Sequence, residues 1–188
     1  MSLALPFFTC CLAATLFSQE SITKEQDATS YARTEYISQT TPKKYVIGLP
    51  LRTDNSEAPK TIPAHWGRFF QENILSRIPA RTDGDILAVY TEYEQDQTKP
   101  YTMILGCEVA SLDEVPEGLV GLEIPASNYA VFTTDGPHPQ GVVETWQAIW
   151  NGDLQRTFTA DFEVYSSQFD PEKNPQVKVF IAVEELLP

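Results

Sequence analysis

The chain has 188 residues, with 26 acidic side chains against 13 basic ones and a formal net charge of −13. That length and 42% apolar content fit one ordinary globular domain. A chain this acidic lacks the basic face that neutralises phosphates, which argues against a nucleic-acid binder and suits a cationic partner or a solvated surface. Three cysteines are too few for a disulfide framework.

The N-terminus opens on an uncharged apolar run, Leu3 to Phe17. It is shorter than the roughly 20 residues a membrane-spanning helix needs and has the length of a signal-peptide apolar region. Leu16 and Ser18 frame a cleavage position, although no Lys or Arg precedes the run. Residues 1–18 are therefore read as a signal peptide. The mature chain is expected to be exported or periplasmic, with no membrane span; uncleaved, the chain would be cytoplasmic. Cys10 and Cys11 would leave with the leader, and Cys107 would remain as a core thiol within a strand. Residues 19–42 are rich in Ser, Thr, Gln and Glu and read as a linker, with a first strand near Glu35 to Ser38. The globular domain is expected over 43–188.

Within that domain the predicted order is strand, helix, strand, strand, twice. The first strand is Tyr45 to Gly48. A helix follows on Ile62, Trp66, Phe69, Phe70, Ile74 and Ile78, spaced three and four apart and ended by Pro79 and Asp83-Gly84. Strands then fall around Leu87 to Tyr90 and over Tyr101 to Ala110. The second set is Tyr129 to Phe132, a helix on Val142, Val143, Trp146, Ile149 and Trp150 ended by Asn151-Gly152, and strands at Asp161 to Tyr165 and Gln176 to Glu185. A constant offset of 75 residues relates Val89-Tyr90 and Pro100 to Val164-Tyr165 and Pro175. The pattern predicts an α+β domain of duplicated modules with pseudo-two-fold symmetry. Two helices would cover one face of an antiparallel sheet and leave a ligand groove on the other.

Strand side chains alternate faces. The apolar set (Phe162 and Val164, Leu87 and Val89) is expected to pack on the helices, which turns Glu163, Tyr165 and Tyr90 toward the groove. The offset makes Glu163 the counterpart of Ala88. A purely structural carboxylate should recur in both copies, so its presence in one points to function. Tyr45, Tyr90, Tyr129, Tyr165, Phe132 and Phe180 lie in predicted strands and Trp150 on a helix. With Glu163 they form the candidate binding set. Aromatic walls around one carboxylate suit an amphipathic cation.

These residues resemble the GyrI-like, or AraC-type effector-binding, superfamily. The likeness rests on Pro42 to Gly48, on Ile124-Pro125 with Tyr129 to Phe132 and Gly136, on Trp146 to Trp150, and on Asp161 to Tyr165. The resemblance implies paired strand-helix-strand-strand modules that sense small molecules, in bacterial transcription regulators and in stand-alone proteins. It implies that Glu163 faces the positive charge of a ligand. About 44 residues precede the matching region, with no DNA-reading pattern, so a stand-alone member without a DNA-binding domain is expected.

Other chemistry finds little support in the sequence. His65 and His138 are isolated and show no metal spacing, and no cofactor motif is present. If the groove were catalytic, Glu163 as acid or base with Tyr90 or Tyr165 as donor would be the candidate set, acting on a reactive small electrophile. A protein-interaction or inhibitor module with a basic partner is a third reading.

Overall fold

Runs rich in Val, Ile and Tyr become strands, and the two amphipathic runs become helices. The computed structural model describes residues 35–184; the leader expected at 1–18, with Cys10 and Cys11, lies outside them. The elements in chain order are β1 (Ile37–Thr41), β2 (Lys44–Thr53), α1 (Ala58–Gln71), α2 (Ile74–Arg77), β3 (Ile86–Thr91), β4 (Tyr101–Val109), β5 (Val120–Ile124), β6 (Ser127–Thr133), α3 (Gln140–Asn151), β7 (Ala160–Tyr165) and β8 (Lys178–Val183). All strand pairs are antiparallel, in one sheet of order β1-β6-β8-β7-β3-β4-β2-β5. No helix among the described residues is long and apolar enough to cross a membrane.

Three details differ from the sequence-based expectation. The helix expected to run unbroken to Ile78 stops at Gln71. Asn73 adopts a left-handed conformation (φ 51°), a region Asn tolerates, and the short α2 follows in a new direction. The first strand expected near Glu35 to Ser38 is present but displaced toward the C-terminus, as Ile37–Thr41, and forms an edge of the sheet paired with β6. Val120–Ile124, which is not among the expected strands although Val120, Leu122 and Ile124 alternate, pairs with β2 as the opposite edge.

The sheet has to curl. Thr41 and Lys44 are three residues apart, a reach of about 11 Å, yet their strands lie six places apart in the sheet, about 29 Å if it were flat. Ile124 and Ser127, joining β5 to β6, impose the same closure. The result is a half-barrel with two apolar layers. One layer joins Phe69 of α1 and Val142, Trp146 and Ile149 of α3 to alternate strand residues such as Leu49, Leu105, Val179 and Ile181. The other is made of strand residues alone, Val46, Leu87, Val89, Tyr129, Phe162 and Phe180 among them, and fills the inside of the curl. Both faces of the sheet are therefore buried. The helices do cover one face as expected, but the other is a packed interior rather than an open groove.

Gly48 and Gly106 face each other across β2 and β4, where the curl brings the two backbones together. A Cβ on Gly106 would collide with the Ile47 carbonyl, and one on Gly48 with that of Leu105. Neither neighbour is a flexible side chain, so the strands themselves would have to part. Gly106→Ala is expected to cost roughly 2–3 kcal/mol, read as a lower urea midpoint; an unchanged midpoint contradicts this close approach.

Candidate functional site

Glu163 lies at the middle of β7, where the register pairs it with Ala88 of β3 and Val179 of β8. Small or aliphatic neighbours on both sides leave its carboxylate no lateral polar partner, and it is 2% exposed. Its hydrogen bonds come from aromatic groups instead. Trp146 Nε1 of α3 donates to Oε1 at 2.6 Å, Tyr90 Oη of β3 donates to Oε1 at 2.9 Å, and Tyr165 Oη of β7 donates to Oε2 at 2.7 Å. All three donors are neutral. Among the described residues no Lys or Arg forms an ion pair with Glu163.

That environment sets the electrostatics. Burial pushes the Glu163 carboxyl above its ordinary value, and the hydrogen bonds from Trp146, Tyr165 and Tyr90 offset the shift only in part. Burial, with the Glu163 charge adding to it, pushes Tyr90 and Tyr165 well above the usual phenol value, so both stay protonated as donors. Tyr101 is raised to about 12, again chiefly by burial.

A shell of rings surrounds the carboxylate. Tyr90 meets Trp146 edge-on at 5.1 Å and Tyr101 at 5.8 Å. Tyr165 meets Trp66 of α1 at 4.9 Å, and Trp66 stacks on Phe70 at 5.8 Å. On the other flank Trp146 leans on Trp150 at 5.9 Å. Phe70 and Trp150 are exposed at the outer end of these stacks, 61% and 39%. The site is thus an aromatic column from solvent to a buried charge, flanked by α1 and α3.

A second carboxylate sits two residues away on the same strand face and is treated differently. Asp161, fully buried, accepts from Arg156 Nη2 at 2.6 Å, Tyr93 Oη at 2.8 Å and the Ala182 amide at 2.8 Å. Arg156, itself buried, neutralises it. One of the two buried acids is compensated and the other is not.

The alternation of the strands is as expected, but the facing is reversed. Glu163, Tyr165 and Tyr90 point toward the helices, while Phe162, Val164, Leu87 and Val89 fill the curl. The groove therefore does not lie on the face opposite the helices. Of the eight candidate residues, Glu163, Tyr165 and Tyr90 come together, with Trp150 attached through Trp146. Tyr129 and Phe180 lie inside the curl. Phe132 shares the row of Glu163 but two strands away, packed on Tyr36. Tyr45 stands three strands across and four residues along, beside Lys43. Trp146, Tyr101 and Arg156 are missing from the predicted set. Trp146 carries a readable signal, since it shares one helical face with the inward Val142 and Ile149; Arg156 sits in a loop and has none.

The family model of integron-associated effector binding proteins matches residues 19–183. YobU, a candidate transcriptional regulator of Bacillus subtilis (strain 168), is 34% identical over 149 residues, covering 76% of this chain and 93% of YobU. Among solved structures, an integron cassette protein from the mobile metagenome of Vibrio cholerae superposes with a TM-score of 0.63 at 24% identity, over 79% of this chain and 95% of that one. SAV2435 bound to tetraphenylphosphonium superposes with a TM-score of 0.68 at 17% identity, over 80% of this chain and 94% of that one. These two share the fold.

Proposed function

The chain belongs to the family of integron-associated effector binding proteins, and we propose that its effector is a lipophilic monocation held against Glu163. The observation that carries this reading is a fully buried carboxylate whose three partners are all neutral. Such a group is costly to keep ionised unless a positive charge joins it. A cation entering along the aromatic column would meet ring faces first and the counter-charge at the end. It would displace one or more of the capping rings from Glu163, exchanging a neutral hydrogen bond for a charge pair. A tetraphenylphosphonium-bound protein of the same fold supports the ligand class. The surplus of 13 acids adds long-range attraction of the same sign.

The same reading includes an internal duplication. Ala88 and Glu163, equivalent under the 75-residue offset, are each other's neighbours across β3 and β7. Outward from that pair the strand order is β3-β4-β2-β5 on one side and β7-β8-β6-β1 on the other. A two-fold axis would pass between Ala88 and Glu163. Two glutamates there would stand about 5 Å apart at Cβ with like charges, so a central carboxylate requires a small, neutral counterpart.

The pH dependence follows from the direction of the Glu163 shift. Protonation removes the counter-charge, and because burial raises this carboxyl, affinity is expected to fall at a higher pH than an ordinary Glu would cause. Tetraphenylphosphonium titrated into the protein at a series of falling pH values should lose affinity before an ordinary Glu would protonate. Glu163→Gln should show a flat profile over the same range. Parallel pH profiles for the two proteins would exclude Glu163 as the counter-charge.

A further inference from the structure

Of the five asparagines in the chain, Asn151 alone precedes a glycine. It is the last residue of α3, and both Asn151 and Gly152 are exposed. The helix stops there. Gly152 is extended (φ −83°, ψ 179°), and its amide donates to the Ile149 carbonyl at 3.3 Å rather than to Ala148 one full turn back. Among the described residues the Asn151 side-chain amide makes no hydrogen bond. Gly152 has no Cβ, so nothing on that residue shields its nitrogen from the Asn151 side chain. The other asparagines are each hindered. Asn55 donates its side-chain amide to the Gln97 carbonyl at 2.9 Å. Asn128 lies in β6, where its Oδ1 accepts from Thr40 at 3.0 Å. Asn73 precedes the buried, β-branched Ile74, which crowds the amide nitrogen. Asn174 precedes Pro175, which has no N–H.

We propose that Asn151 is a self-modification site, at which the side-chain amide condenses with the Gly152 backbone and ends as an acid. The Gly152 nitrogen attacks the side-chain carbonyl carbon of Asn151. That C–N bond forms, the bond to the side-chain nitrogen breaks, and ammonia leaves with the proton taken from the Gly152 amide. Water then opens the cyclic imide at either carbonyl. One opening gives aspartate; the other gives isoaspartate, in which the main chain runs through the β-carbon. Water is the only co-reactant, and nothing is oxidised or reduced. Ring closure requires Asn151 to leave the helical conformation, which the last residue of a helix does by fraying. Either product puts a negative charge at the C-terminus of α3, the negative end of the helix dipole, where no basic residue in the last turn offsets it. That turn carries Trp150, whose ring leans on Trp146 at 5.9 Å. The conversion therefore loosens this ring pair. Neither step depends on the role of Glu163.

The full chain, incubated at mildly alkaline pH to favour loss of the Gly152 amide proton and then mapped by peptide mass spectrometry, tests the proposal. The peptide containing Asn151 should gain the mass of an amide turned acid and elute as separate aspartate and isoaspartate forms. Over the same time the other asparagines should stay intact. The gain should be lost in Asn151→Gln and in Gly152→Ala. An unconverted Asn151 overturns the proposal. So does equally fast conversion at another asparagine, or an unchanged rate in Gly152→Ala. A Cβ on Gly152 would stand 3.3 Å from the Ala148 carbonyl. If that variant fails to fold, the wild-type products decide. Isoaspartate arises through the imide and supports the site; aspartate alone means direct hydrolysis and refutes it. Asn151→Asp, which installs the charge directly, should show a weaker near-ultraviolet circular dichroism signal from its tryptophans. An unchanged signal overturns the loosening of Trp150.

Discussion

Glu163→Gln is expected to weaken tetraphenylphosphonium binding at least tenfold, about 1.4 kcal/mol, and to leave the fold intact or more stable. The substitution is close to a pure charge deletion. The Gln oxygen can take the place of Oε1, accepting from both Tyr90 and Trp146, and its amide nitrogen can donate to Tyr165 Oη, which turns its own hydrogen elsewhere. All three contacts survive while the buried charge disappears.

The stability change has a definite sign. Glu163 binds its proton more tightly folded than unfolded, because its carboxyl is raised in the folded protein. Its contribution to stability is therefore fully present below the unfolded value, near 4.5, and is lost as pH rises through the raised folded value. Once it ionises, the buried carboxylate weakens the free protein, and Gln removes that weakness. Isothermal titration and thermal melts of both proteins check the two halves. A variant that binds as tightly as the parent eliminates the charge-pairing role. A variant that melts much lower shows that the carboxylate is structural.

Glu163 is singled out in the sequence by the 75-residue offset, which sets it against Ala88, and the register places those two residues side by side. The strand alternation is legible as well, since Leu87, Val89, Phe162 and Val164 do share one face. What alternation cannot say is which face meets the helices. The usual rule assigns the more apolar set to the helix, and it fails here because the curl buries both faces. The curl is imposed by two short links, from Thr41 to Lys44 and from Ile124 to Ser127, whose effect depends on a strand order that no local pattern encodes. The edge strand β5 does alternate, at Val120, Leu122 and Ile124, but it is five residues long and includes Gly121, so the period is too short to stand out. Tyr129 and Phe180 are aromatic strand residues like Tyr90, but at the opposite parity, and their chemistry serves the interior of the curl.

Arg156 carries the other large expected effect. It lies in the loop between α3 and β7, and the path of that loop brings its guanidinium onto Asp161 at 2.6 Å, with both side chains buried. Arg156→Met keeps much of the apolar stem but strands Asp161 as a second uncompensated charge, two residues from Glu163 on the same strand face. A loss of roughly 3–5 kcal/mol is expected, the usual cost of removing one partner of a buried pair. Adding Asp161→Asn should recover most of it, because Asn can still accept from the Ala182 amide while no charge is left unpaired. Urea denaturation of the wild type, the single variant and the double variant reads out both steps. If the double variant is no better than the single one, Arg156 acts through packing on the Phe158 ring, 4.3 Å away, rather than through neutralisation. Neutralisation has a functional consequence. With Asp161 satisfied from within, the Glu163 site presents one negative charge, which matches a monocation and gives a dication no second partner. The folded double variant is therefore expected to bind tetraphenylphosphonium within about threefold of the wild type, because the counter-charge at Glu163 is untouched. A tenfold loss in that variant would place Asp161 in the binding charge as well.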